Sequence, residues 1–419
     1  MIPTEALHAS ARDRLVAECV ETLRSLEDTG LLRRLTSIDA VDGPRVWIDG
    51  RELVNWCSND VLGLSTHPGL AEAAAEATAE WGVGARASRL LSGTTSWHTR
   101  LEDALAAWFG AEAAIVFPSG YQANLGTLGS LLVSQDAVFV DRLAHASLLD
   151  AARATRAAFR VFRHNDPAHV QVLLSRAPKA RRRFIITEGV FSMDGDRAPL
   201  EELIGIAESH DATVYVDDAH GAFVLGASGR GTPEAAGVSH ERILYMATLG
   251  KAVGCQGGFV IGPRPLIEFL QNRARAFIYT TALAVPVVAA ACGALRVLRE
   301  EPQRRERLQA LAKRLHERLA PLQRHFVERT ASHIVPVVVG EARRALGLAA
   351  ALWERGIWAP AIRPPTVPEG TARLRLSLTA LHTEQQIDAL ARALQELFPL
   401  HRPPSTVDCP PSPIDCSIT

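Results

Sequence analysis

Lysine is almost missing from these 419 residues. Only Lys179, Lys251 and Lys313 carry an ammonium group, and the other 42 of the 45 cations are arginine. Any chemistry that needs a lysine amine therefore has three candidates. Net charge is nearly absent as well: 45 cations face 46 anions, a formal −1, which argues against a general nucleic-acid binder. Long apolar runs are lacking. The longest, Ala282 to Leu295, has 14 residues with Pro286 and Gly293 inside it, short of the ~18–20 that a membrane span needs, so it reads as a buried helix. The first residues carry Glu5, Arg12, Asp13 and Arg14 without an apolar stretch, unlike a secretory signal. The six cysteines form no C-x-x-C pair and no Cys/His cluster, so free thiols in a reducing cytoplasm are expected, with no metal site. Cys409 and Cys416 could pair if oxidised, but nothing requires it.

What is present is a soluble globular composition, 47% hydrophobic and 22% charged, long enough to bury a large core. The chain opens with an amphipathic helical pattern and the basic turn Leu32-Arg33-Arg34. Two alternating runs around Asp49-Gly50 then predict a hairpin. From about residue 69 to 265, helical stretches such as Leu101–Phe109 and Leu200–His210 alternate with short apolar runs. Those runs are Ala114–Phe117, Ala137–Val140, Phe184–Thr187, Thr213–Val216, Ile243–Ala247 and Phe259–Ile261. This rhythm predicts βα units and an α/β fold with a mostly parallel sheet. Helices from Pro286 to about Leu322 follow. A smaller α+β region closes with the alternating strand Arg373-Leu-Arg-Leu-Ser-Leu and an amphipathic helix over Thr383–Leu397. Four segments result: an N-terminal helical arm with the first hairpin strand (1–50), a large domain (51–290), a small C-terminal α+β domain (291–400) and a Pro/Ser-rich mobile tail (401–419).

Two glycine motifs carry no signal. Gly82-Val-Gly84 follows a helical stretch instead of a strand, and Gly250-Lys251 lacks the rest of a phosphate-binding loop. The informative residues sit at predicted strand ends, where open α/β sheets bind ligands. One strand ends in Asp217-Asp218-Ala219-His220-Gly221, another in Thr248-Leu249-Gly250-Lys251, and a third in Glu188 followed by Ser192. A fourth ends in Ser119-Gly120-Tyr121, opening a helix whose N-terminus suits an anion. A strand-end lysine in an apolar site can lose its proton and form a Schiff base. Lysine, carboxylate and phosphate cradle together are what pyridoxal 5'-phosphate requires. Asp217 as a helix cap, His220 as a satisfied loop histidine or Ser119-Gly120 as a plain turn is each at least as good a reading in isolation. Lys251 differs, because Lys179 and Lys313 lie among arginines while Lys251 follows an apolar strand between glycines.

Six ordered segments turn this into a family resemblance. They are Ser58-Asn-Asp-Val-Leu-Gly-Leu64, Asp141-Arg-Leu-Ala-His145-Ala-Ser-Leu-Leu149, Thr187-Glu-Gly-Val-Phe-Ser192-Met-Asp-Gly-Asp196, Val216-Asp-Asp-Ala-His-Gly221, Thr248-Leu-Gly-Lys251 and Ile362-Arg-Pro-Pro-Thr-Val-Pro-Glu-Gly-Thr-Ala-Arg-Leu-Arg-Leu376. Over roughly residues 30–400 the chain resembles the pyridoxal-phosphate-dependent α-oxoamine synthases of aminotransferase fold type I. The resemblance implies a C-acyltransferase that condenses an amino acid with an acyl thioester and releases CO2. It points to L-alanine and a pimeloyl thioester on CoA or an acyl carrier protein, in a cytoplasmic homodimer whose site lies at the subunit interface. It makes Lys251 the Schiff-base lysine, Asp217 the partner of the pyridine nitrogen, and His220 and Ser192 neighbours of the ring hydroxyl. His145 would stack on the ring and also meet substrate. Ser119, Gly120, Tyr121, Glu188 and Thr248 would complete the cofactor site, with Thr280 and Thr281 reaching the partner's phosphate. Arg363 would receive the amino-acid carboxylate, with Arg33, Asn59 and Thr366 also at substrate. After Lys251 the stretch Ala-Val-Gly-Cys-Gln-Gly-Gly-Phe is nearer to other members of this family, and Gly84-Ala-Arg-Ala-Ser-Arg has fewer glycines than usual. A member that takes glycine or a different acyl-CoA, and a cofactor-free scaffold, stay open at this point.

Overall fold

A computed structural model describes residues 10–177, 179–325 and 332–398. The proposed tail 401–419, with Cys409 and Cys416, lies outside the described residues.

The strands are β1 (Ala40–Asp42), β2 (Arg45–Ile48), β3 (Arg51–Asn55), β4 (Ala113–Phe117), β5 (Ala137–Asp141), β6 (Ala158–Phe162) and β7 (Arg183–Glu188). They continue with β8 (Ala212–Asp217), β9 (Leu244–Thr248), β10 (Gly258–Gly262), β11 (Ile334–Gly340), β12 (Ile357–Trp358), β13 (Ala361–Ile362) and β14 (Ala372–Ser377). A seven-stranded sheet in the order β4-β10-β9-β8-β7-β5-β6 forms the centre. β6, β5, β7, β8 and β9 pair in parallel, and β10 alone runs antiparallel, to both β9 and β4. The mostly parallel α/β sheet expected from the sequence is borne out. Its interior strands are covered on both faces, so all five residues of β5 are buried and the first four, Ala137 to Val140, read as a continuous apolar run.

β6 is the strand that the apolar pattern missed. Ala-Phe-Arg-Val-Phe is broken by Arg160 at its centre, and because this strand is the sheet edge only Phe162 in it is buried. The nine-residue helices over Ala146–Ala154 and Pro167–Ser175 were not singled out either. The C-terminal α+β region is built on β11-β14-β13 with helices Ala342–Trp353 and Glu384–Leu397.

Two of the expected boundaries fall inside structural elements. The break at residues 290/291 cuts the continuous helix Val285–Glu300, which buries Val288, Ala291 and Leu295 and packs on helix Pro68–Trp81. The break at 50/51 splits the hairpin between β2 and β3, and β3 pairs in parallel with β12. We propose that the C-terminal unit starts near Pro302, where the helix is interrupted, and includes the hairpin.

Candidate functional site

Four of the central strands deliver side chains to one sheet end. Parallel pairing sets Glu188 of β7 directly beside Asp217 of β8, and Thr248 ends β9. Three residues past Thr248, the Nζ of Lys251 lies 2.6 Å from Nε2 of His220. Burial pulls the Lys251 pKa down, the charges of Asp217 and Glu188 oppose it, and the balance is about 8. Burial first, then the Lys251 charge, drive the His220 pKa well below its ordinary range. His220 is therefore a neutral acceptor for the lysine. By contrast, Lys313 has an 80% exposed side chain and Lys179 is exposed.

Asp217 is held as an oriented carboxylate. Its Oδ2 accepts from Asn124 Nδ2 at 2.7 Å and its Oδ1 from the Ala219 N–H at 3.0 Å. Asn124 also donates to Ser147 Oγ at 2.8 Å and accepts from Tyr215 Oη at 2.8 Å, so its amide orientation is settled. Tyr215 and Asp217 are two apart on β8 and share one face, the one toward helix Gly120–Leu131 that carries Asn124. Ser147 continues the chain to His145, whose Nδ1 lies 2.8 Å from Ser147 Oγ and accepts from the Ser147 N–H at 3.3 Å. That acceptance leaves the ring proton on Nε2 in the neutral form. Sequence reading missed Asn124, Ser147 and Tyr215. Each looks like ordinary helix or strand composition until the sheet brings it to Asp217.

At β4, Ser119 caps helix Gly120–Leu131 by accepting from the Gln122 N–H at 3.1 Å, leaving first-turn N–H groups free to hold an anion. Gly120 approaches β10 so closely that a Cβ on Gly258 would sit 2.6 Å from Gly120 Cα. Thr248 Oγ1 borders the same spot while donating to the Gly257 carbonyl at 2.7 Å. Tyr121 is exposed, bonds Asp150 and presents its ring edge to His145 at 6.3 Å. Glu188 is buried, with one carboxyl oxygen lacking a partner, and burial together with Asp217 raises its pKa well above the carboxylate range. Next to it, Asp218 accepts from Thr232 N, Thr232 Oγ1 and Tyr245 Oη at 2.6–2.9 Å, holding the loop after His220. Gly221 is required there, since a Cβ would lie 2.1 Å from Asp218 Oδ1.

The substrate residues separate into two groups. Arg363 spends its guanidinium on the carbonyls of Gly30 and Leu32, and Arg33 bonds Pro364 O at 3.1 Å and Thr366 Oγ1 at 3.2 Å. These three residues lie together where the arm meets the C-terminal region. The guanidinium whose charge acts on Lys251 and His220 belongs instead to Arg375, 7% exposed on β14, where burial lowers its pKa to about 10. It bonds the Ser192 carbonyl and reaches Asn59 Oδ1 at 3.4 Å. Sequence reading singled out Arg363 and passed over Arg375, which it placed only within an alternating strand. Thr280 Oγ1 meets Gln122 Nε2 at 3.5 Å, and Thr281 forms a backbone bridge with Ser88. Among the described residues no cluster of metal ligands occurs, and no helix is long and apolar enough to cross a membrane.

The sequence profile of the family described as aminotransferase class I and II matches residues 51–394. The chain belongs to that family. It is 48% identical over 369 residues to an 8-amino-7-oxononanoate synthase of Chromobacterium violaceum, covering 88% of this chain and 95% of that one. Among solved structures, a serine palmitoyltransferase of S. paucimobilis with bound PLP–myriocin overlays with a TM-score of 0.87 at 33% identity, over 92% of this chain and 97% of that one. An 8-amino-7-oxononanoate synthase from Francisella tularensis overlays with a TM-score of 0.72 at 29% identity, over 83% of this chain and 97% of that one. The site accommodates the cofactor of such enzymes. A lysine of lowered pKa, an oriented carboxylate on the neighbouring strand and a glycine-lined helix N-terminus stand at one sheet end.

Proposed function

We propose that the chain is an 8-amino-7-oxononanoate synthase of biotin biosynthesis, condensing L-alanine with a pimeloyl thioester. The observation that carries this is 48% identity along 88% of the chain to an enzyme of that name. Pyridoxal phosphate, attached through Lys251, supplies an electron sink for charge developing at the amino-acid Cα. Ser119, Gly120 and Thr248 hold its phosphate, and His145, Glu188, Ser192 and His220 surround its ring.

Asp217 keeps a proton on the pyridine nitrogen, and Asn124 keeps Asp217 in line for that bond. Once the alanine amine has taken its place on the cofactor, Lys251 would be a free amine; with a pKa near 8 it would be unprotonated in a useful fraction at slightly alkaline pH and would take the proton from Cα. His220 accepts from its Nζ and holds it in place. The new bond joins Cα to the thioester carbonyl carbon, and the thiol leaves. The former alanine carboxylate departs as CO2, and Lys251 returns a proton to Cα.

We assign the grip on that carboxylate to Arg375 in place of Arg363, because Arg375 is buried against Ser192 and Asn59 while Arg363 spends its guanidinium on the carbonyls of the arm. Arg33, Arg363 and Thr366 then serve the acyl donor, on CoA or a carrier protein. A cytoplasmic homodimer is part of the proposal. The arm helix Ala11–Asp28 exposes Leu15, Val16, Val20 and Leu23, and Leu91 and Tyr279 are exposed near Thr280, apolar surface that a second subunit would cover.

A second reading has one observation in its favour. The serine palmitoyltransferase overlays more closely than the synthase structure, 0.87 against 0.72. Assaying L-alanine, glycine and L-serine against pimeloyl, acetyl, succinyl and palmitoyl thioesters separates the two. Turnover only with L-serine and palmitoyl thioester, or only with glycine, would overturn the first reading. A protein that stays colourless after adding cofactor, without the ~420 nm band of a protonated pyridoxal Schiff base, would favour a scaffold.

A further inference from the structure

The hydrogen bonds between β8 and His145 all point the same way. Tyr215 Oη has one proton and gives it to Asn124 Oδ1 at 2.8 Å. Asn124 has two amide hydrogens and uses both, one on Asp217 Oδ2 at 2.7 Å and one on Ser147 Oγ at 2.8 Å. Ser147 Oγ is therefore an acceptor toward Asn124, and its own proton goes to His145 Nδ1, 2.8 Å away. The Ser147 backbone N–H donates to the same nitrogen at 3.3 Å. Asn124, Ser147 and Tyr215 are each no more than 1% exposed, so water does not compete for these bonds.

Donor counting excludes the other tautomer. A proton on His145 Nδ1 would face the Ser147 N–H. Ser147 Oγ would then meet two donors, and its own hydrogen would have no acceptor among the groups that bond it. A buried hydroxyl left that way is costly. Glu188 fixes the residue from another side, since its buried carboxyl bonds the backbone N–H of His145. Burial lowers the His145 pKa against the opposing charge of Asp217, and the Lys251 charge adds to the lowering. His145 itself is exposed, so its Nε2 edge is the part left for a ligand.

We propose that Ser147 is a positioning residue for the reaction. It holds His145 neutral with the proton on Nε2, so that this histidine offers the site a hydrogen-bond donor and no base. Through Asn124 the same hydroxyl is tied to Asp217, and the carboxylate that serves the pyridine nitrogen also sets the state of the ring beside the cofactor. The Cα proton then has Lys251 as its acceptor, without competition from His145. This rests on the reading of the chain as a pyridoxal-phosphate enzyme.

The test is long-range 1H–15N NMR of histidine-labelled protein at neutral pH, with the His145 signals identified by their loss in His145→Asn. Wild type, with and without cofactor, should show His145 as one tautomer, Nε2 protonated and Nδ1 bare. In Ser147→Ala at least about a tenth of the ring should move its proton to Nδ1, the order of effect of one lost hydrogen bond. Exchange of the L-alanine α-proton by the holoprotein should slow at least ~fivefold in the same variant. A wild type with its proton on Nδ1, or doubly protonated, overturns the proposal. So does a Ser147→Ala protein in which the tautomer or the exchange rate stays as in wild type; slower exchange with an unchanged tautomer would make Ser147 a packing residue only. If Ser147→Ala does not fold, Ser147→Cys, a weaker donor, takes its place with the same expected directions. A wild type that never gains the ~420 nm band of the bound cofactor fails the underlying reading. A variant that keeps both that band and the wild-type tautomer fails this proposal alone.

Discussion

His164 is the histidine whose charge the fold needs. Its Nδ1 lies 2.9 Å from Asp141 Oδ1 and its Nε2 2.8 Å from Asp196 Oδ2, with an 18% exposed side chain between two buried carboxylates. Asp141 ends β5, four residues before His145. Asp196 closes the turn that carries Ser192 and Asp194, the latter paired with Arg373. The imidazolium therefore clamps two walls of the cofactor site together. Burial alone would lower its pKa, but the hydrogen bonds and charges of Asp141 and Asp196 overcome that and raise it from 6.5 to about 10. A folded-state pKa above the unfolded value stabilises the fold fully below pH 6.5, and the contribution fades as pH rises through 10. The linkage gives ~4–5 kcal/mol at pH 6, ~3 kcal/mol at pH 8 and under ~0.5 kcal/mol at pH 10.5. In His164→Gln, which keeps one donor and loses the charge, the melting temperature should drop by ~5–10 °C at pH 6. The gap to wild type should close by more than half at pH 10.5. Differential scanning fluorimetry of both holoproteins across that range checks it. A gap that stays constant from pH 6 to pH 10.5 would refute the argument, because it would mean that the interaction does not depend on the histidine's proton.

Other perturbations bear on the site itself. Arg375→Ala should raise KM for the amino acid ~10–100-fold, the ~1.5–3 kcal/mol of a charged hydrogen bond, and leave KM for the acyl thioester within a few-fold; the reverse split would return the carboxylate to Arg363. Asn124→Ala leaves Tyr215 Oη and Asp217 Oδ2 without their 2.8 and 2.7 Å partners, so it should cost ~1–3 kcal/mol of stability and slow exchange of the alanine α-proton measured by NMR. Gly258→Ala forces a Cβ to 2.6 Å from Gly120 Cα, and the overpacking, ~1–3 kcal/mol, should weaken cofactor binding in equilibrium dialysis by about tenfold or more. Borohydride reduction of the holoprotein should place the pyridoxyl mass on the peptide containing Lys251 and leave Lys179 and Lys313 unmodified.

Much of this was legible from composition and order along the chain. Three lysines, only one of them after an apolar strand, singled out Lys251, and strand-end placement gathered Asp217, His220, Glu188, Thr248 and Ser119-Gly120. These are local signals: a parallel strand buried on both faces is a run of apolar residues, and its C-terminal end is where function collects. The alternation of helix and strand likewise carried the mostly parallel sheet. What the sequence could not express is which side chains from distant segments face one another. Asn124 reaches Asp217 across 93 positions of sequence and Arg375 reaches Ser192 across 183. Arg363 and Arg375 sit in one motif-rich stretch and look interchangeable. Only the tertiary structure separates them: Arg375, on β14 between β11 and β13, is buried on the Ser192 carbonyl, while Arg363 goes to the carbonyls of the arm. Ser147 belongs to the same class. Its bond from Asn124 joins two helices, 23 positions apart in sequence, that meet only in three dimensions, and side-chain partnership is a property of that meeting.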